Sequence, residues 1–225
     1  MLAIKIRDNL RPWALKEALL HQEGSLTHVA LFEAFESEAV KLFGPVKDYG
    51  IWLSPDTNTL AASLDFPSGL SVAIVNSRNR RLACRLYAGL CFDDAGIPLF
   101  QVLVGRHTRK LMNNLNRGLR VVLECAHNAS KEFRTIKRGM QEAPMSSNPP
   151  GGSLLFQAGQ DGLVPWSRIG EAVKGLATLH RYPSTWDLLY QFARASGKSP
   201  PPKQLHQTYK FYRLLRTSNC EDIQC

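Results

Sequence analysis

The sequence predicts an α+β protein: an antiparallel β-meander of about five strands, packed by a long amphipathic helix, with N-terminal helices and a helical C-terminal region. Three observations carry this expectation. Between residues 49 and 104, short apolar runs alternate with turn-rich punctuators. From 106 to 142 the apolar residues recur at helical spacing along one stripe. Shorter segments with helix start and stop signals lie on both sides. A chain of 225 residues with 44% hydrophobic content is large and apolar enough to bury a core.

Taken in order, residues 12–23 (PWALKEALLHQE) form an expected helix, with Pro12 near its start and Gly24 after its end. Residues 27–43 form a second, in which Leu31, Phe35, Ala39 and Leu42 share a face and Gly44-Pro45 stops it. The strands follow as YGIWLS, TLAASLDF, GLSVAIVN, RLACRLYAGLCF and IPLFQVLV, separated by SPDTN, PSG, SRNR and DDAG. Connections this short join antiparallel neighbours.

In 106–142, Leu111, Leu115, Leu119, Val122, Ala126, Ala129, Phe133, Ile136 and Met140 fall on an arc of about 100°. A helix of this length is long for a compact domain, and a break near Asn128 is expected. PMSSNPPGGS, over 144–153, reads as a linker or loop. A helix is expected over 165–180, with Trp166, Ile169, Val173 and Leu176 on one face. Ser184 and Asp187 have the spacing of a capping box for a helix over 185–195, which Gly197 ends. SPPPK then breaks the chain before a short last helix over 204–216. The implied organisation is an α+β domain over 1–143, a linker over 144–153, a helical subdomain over 154–196 and a basic tail over 197–225.

Charge is the most informative feature for function. The net charge is +9, from 28 basic and 19 acidic residues, and the excess sits in 101–142 and in the tail. On the 106–142 helix, Arg106, Arg109, Arg117, Arg120, Lys131, Arg134 and Arg138 project within about 120° of arc, opposite the apolar stripe. His127 shares that arc, and Glu124 is the one acid in it. The row would be about 48 Å long at 1.5 Å per residue, enough to meet several phosphates and release their counterions. Arginine dominates it, which suits bidentate phosphate contact. Arg78, Arg80 and Arg81 in the SRNRR turn, with Arg85 beyond it, would add to such a surface. In the tail, Lys203, His206, Lys210 and Arg213 share one helical face, with Leu205, Tyr209 and Tyr212 on another. A helix-turn-helix made from the last helices is disfavoured, because the SGKSPPPK connection exceeds the usual three to four residues.

The bland alternative is a solvated face whose arginines pair within the molecule, for which Glu33, Glu36 and Glu38 are available. The function expected is phosphate-directed binding of DNA or RNA without catalysis. A module recognising an acidic protein is the alternative. A third possibility rests on Arg120 and His127, written RVVLECAH. This spacing resembles the R-x(4–6)-H motif of the HEPN ribonucleases, and the resemblance implies metal-independent RNA cleavage, with His127 as acid/base and Arg120 as phosphate clamp. HEPN proteins are all-helical, whereas this chain places a sheet before the helix.

Other chemistry is not signalled. Asp93-Asp94 lies in FDDAGIP, ordinary turn chemistry, and Pro55-Asp56 has no downstream Glu-x-Lys or Asp-x-Lys to complete a nuclease motif. There is no phosphate-binding glycine loop, no nucleophile elbow and no zinc-protease motif. No cofactor and no metal site are expected. The five cysteines contain no CxxC pair; Cys84, Cys91 and Cys125 fall in apolar surroundings, and Cys220 and Cys225 in a polar tail. With charges in its first residues and no apolar run of membrane-spanning length, the chain is expected to be intracellular, with no membrane partner.

Overall fold

A computed structural model of the chain describes residues 27–56, 58–77, 83–92, 95–105, 115–143, 152–163, 165–180, 182–197 and 201–221. The expected helix over 12–23 and the first turns of the 106–142 helix lie outside these residues.

Helix α1 spans His28–Phe43. The Thr27 hydroxyl accepts the Ala30 N–H at 3.0 Å at its start, and the Gly44 N–H bonds Val40 O at its end. Leu31, Phe32, Phe35 and Ala39 are buried, and the helix lies on strand β2. The five strands are β1 (Asp48–Leu53), β2 (Thr59–Asp65), β3 (Leu70–Ser77), β4 (Cys84–Phe92) and β5 (Ala95–Gly105). They form one antiparallel sheet in sequence order, as the short connections require. Register is set by cross-strand partners such as Ile51↔Ala62 and Ala62↔Ile74. The β2–β3 turn closes with the Gly69 N–H on Phe66 O at 2.9 Å, and Gly69 has φ +81°, a conformation a side chain would strain. Val72, Ala73, Ile74 and Val75 are all buried, so the central strand β3 is covered on both faces.

Helix α2 runs unbroken over Leu115–Glu142. The expected break at Asn128 is absent: the helix continues through it, and the exposed Asn128 side chain accepts from Lys131 Nζ at 3.1 Å. Leu119, Val122, Leu123, Ala126, Phe133 and Met140 form its buried stripe. Cys84 is fully buried as expected, and burial pushes its thiol up to about 12. Cys125 is exposed rather than apolar-packed, because it falls just outside the α2 stripe.

The C-terminal helices depart more from expectation. Helix α3 (Gly152–Gln160) begins inside the stretch read as loop; its small Gly-Ser start hid the apolar Leu154, Leu155 and Phe156 that follow. Helix α4 is shorter than expected, Trp166–Ala177, with Pro165 at its N-cap. Its buried face is Ile169, Ala172 and Leu176, rotated from the expected one, so Trp166 and Val173 are exposed. Helix α5 (Thr185–Ser196) starts on the Ser184–Asp187 capping box. Gly197 follows in right-handed conformation rather than as a left-handed cap. Helix α6 runs over Pro201–Glu221, far longer than 204–216. Pro201 and Pro202 sit in its first turn, where their missing N–H groups have no helical acceptor to lose. Helix α6 thus begins three residues before its expected start, and residues 198–200 lie outside the described residues. Phe192 of α5 stacks on Phe211 of α6, with ring centroids 3.9 Å apart.

By contact the chain divides into two compact units. One gathers the described residues up to Gly89 with Phe100–Lys131; the other gathers Leu90–Leu99 with the described residues from Glu132 onward.

Candidate nucleic-acid interface

The site starts from the geometry of α2. Its apolar residues face inward, so the residues half a turn away must face solvent. Arg117, Arg120 and Lys131 in the first unit are exposed, as are Arg134 and Arg138 farther along the same helix. Arg106, Arg109, Arg78, Arg80 and Arg81 lie outside the described residues. Arg85 is half-buried on β4. On α6, Lys203, Lys210 and Arg213 are exposed, opposite the buried Gln207, Phe211 and Leu215, while Tyr212 is buried and Tyr209 half-buried.

One member of the row is tied down. Arg120 donates from Nε to Glu38 Oε2 at 3.0 Å, and Lys41 donates from Nζ to Glu38 Oε1 at 2.6 Å. The Glu38 side chain is 4% exposed, against 57% for Arg120 and 55% for Lys41. The carboxylate is therefore buried while both cations reach solvent. Hydrogen bonds from Lys41, then from Arg120, hold Glu38 below the ordinary carboxylate range, and Glu38 in turn raises Arg120. Of the other acids of α1, Glu36 accepts from the Tyr49 hydroxyl at 2.6 Å, and Glu33 is exposed. Intramolecular pairing thus engages Arg120 but leaves Arg117 and Lys131 exposed. Sequence reasoning missed Lys41, which lies on a different helix; only the buried position of Glu38 brings it beside Arg120.

His127 is half-buried, with its ring 5.5 Å from that of Phe43. Its Nδ1 is buried and has no hydrogen-bond partner among the described residues. Arg120 and His127 share a face of α2, two turns apart. Arg120 is held by the Glu38 carboxylate, and among the described residues no acid bonds His127 Nδ1.

The turn aspartate has a structural occupation. Asp56 accepts from the Ser54 hydroxyl, from Asn58 N at 3.1 Å and from Asn58 Nδ2 at 2.9 Å, which hold its carboxyl at about 2. Asp93 and Asp94 lie outside the described residues. Among the described residues no three histidine, cysteine, aspartate or glutamate side chains gather as a metal site. No helix among them is long and apolar enough to cross a membrane.

A second exposed feature was not foreseen. Phe156 of α3 and Trp166 of α4 place their ring centroids 5.2 Å apart, yet are 53% and 51% exposed. Gly159 makes this approach possible: a Cβ there would lie 2.7 Å from the Trp166 ring.

No family model matches the chain, and neither a curated protein nor a solved structure matches it.

Proposed function

We propose that this chain is a non-catalytic nucleic-acid-binding protein that contacts phosphates through the cationic face of α2. The observation that supports it is the opposition on one helix. Arg117, Arg120, Lys131, Arg134 and Arg138 are exposed, whereas Leu119, Val122, Ala126 and Phe133 are buried. Within the first unit the row from Arg117 to Lys131 is about 21 Å long at 1.5 Å per residue, so its cations can meet several phosphates of one strand. Phosphate contacts carry affinity without base identity, so the expected binding is weakly selective and strongly salt-dependent. In the other unit, Lys210 and Arg213 are exposed on α6 and offer phosphate contacts of their own.

Fluorescence anisotropy with a labelled mixed-sequence oligonucleotide, across a salt series, tests this. Binding that falls steeply with salt is expected. No binding at low salt sinks the proposal.

A second reading, a module that docks an acidic protein, is favoured by the exposed Phe156–Trp166 pair. Aromatic anchors are common at protein interfaces, and basic faces complement acidic partners. Retained partner binding after Trp166→Ala would count against it.

A further inference from the structure

The Glu38 carboxylate has two oxygens, and each is taken by a different cation: Oε1 by Lys41, Oε2 by Arg120. Arg120 engages it through Nε, so neither terminal amino group of the guanidinium is spent on this bond. Lys41 commits one of its three N–H donors. These three side chains together carry one net positive charge, and both cations keep donors that Glu38 does not use. Both heads flank one carboxylate, so both lie within the span of one phosphate group. Glu124, the acid of the same α2 face, also acts on Arg120, and Arg117 stands one turn before it.

A buried carboxylate is costly unless its partners are well held. Here the partners are long, half-exposed side chains that solvent would otherwise leave mobile. Fixing two such chains in advance removes an entropy cost that a phosphate would otherwise meet on binding. The arrangement is thus more than charge neutralisation: two half-exposed cations share one buried anionic base.

We propose that Glu38 is a positioning residue that holds Lys41 and Arg120 as a two-cation clamp for a single phosphodiester group of a nucleic-acid strand. This rests on the nucleic-acid reading above and extends the phosphate surface from α2 onto α1.

Glu38→Gln gives the sharpest test, because two views predict opposite signs. If binding depends only on overall charge, removing an acid tightens it. If Glu38 positions the clamp, the amide can no longer hold two cations and binding weakens, on the order of fivefold. Lys41→Gln and Lys47→Gln form the second test, since both remove one exposed lysine of the same unit. Lys41→Gln is expected to weaken oligonucleotide binding about fivefold and to lower the salt slope by about one, with Lys47→Gln causing a smaller change. Affinity is read by anisotropy on proteins whose folding circular dichroism has checked; should Glu38→Gln not fold, the lysine pair decides alone. Equal effects of the two lysine variants, or a folded Glu38→Gln that binds as well as or better than the parent, overturn the clamp while leaving the nucleic-acid reading intact. Absence of oligonucleotide binding by the parent protein overturns both.

Discussion

Arg120 reaches from α2 to Glu38 of α1 across a 3.0 Å ion pair while more than half its own side chain remains in solvent. This asymmetry, one partner buried and one exposed, gives the pair a pH signature. Glu38 titrates below its ordinary value of 4.5, chiefly through the Lys41 hydrogen bond and then that of Arg120. A carboxyl depressed in the folded state contributes stability above its unfolded value and loses it as pH falls through the folded one. Denaturant midpoints of the parent protein are expected to fall as pH drops below the glutamate range. In Glu38→Gln the decline is shallower. Asp56 is also held down, at about 2, and is common to both proteins. Parallel declines would remove Glu38 from the account.

Charge reversal on the exposed face separates binding from folding. Arg117→Glu combined with Lys131→Glu changes two exposed residues of one unit. Stability should shift by less than about 1 kcal/mol, as is usual for exposed positions. Oligonucleotide affinity at low salt should fall at least about tenfold. Unchanged affinity with an unchanged melting temperature places the site elsewhere.

The ribonuclease resemblance is tested by incubating the purified protein with labelled single-stranded RNA in EDTA. No cleavage is expected. Cleavage that disappears in His127→Ala would make the chain an enzyme, because a histidine general base moves a proton while carrying little of the binding.

Gly159→Ala should disturb the aromatic pair. A Cβ placed 2.7 Å from the Trp166 ring forces that ring to move, while alanine raises helix propensity by about 1 kcal/mol over glycine. The two effects oppose each other in stability, so the sensitive readout is spectroscopic. The emission and acrylamide quenching of Trp166 should change in the alanine variant, with Trp166→Phe as the reference. Identical spectra would mean that the ring does not rest on α3.

Much of the fold was legible because its signals are local. Turn residues between apolar runs placed all five strands within a few residues, and the Gly44 stop and the Ser184–Asp187 capping box were read directly from the residues. The errors share one origin, which is that burial decides what composition leaves open. Gly152 and Ser153 resemble a loop until Leu155 and Ala158 are buried behind them, and Pro201-Pro202 resembles a break until α6 begins on it. The exposed arginines of α2 were visible as periodicity. Lys41 was not, since nothing in the spacing of α1 shows that Glu38 is buried beside Arg120.

Where α2 ends, α5 begins. The Ala143 carbonyl, one residue past α2, accepts the Thr185 backbone N–H at 3.2 Å and the Thr185 hydroxyl at 3.4 Å. A carbonyl left over from one helix end thus meets a donor left over from another helix start, which joins two lengths of chain separated by α3 and α4. The Thr185 amide should therefore exchange with deuterium at a rate set by opening of the end of α2 as well as of α5. The two helix ends would then open as a single cooperative unit, and loosening the last turn of α2 would be felt at the capping box more than forty residues later in the chain.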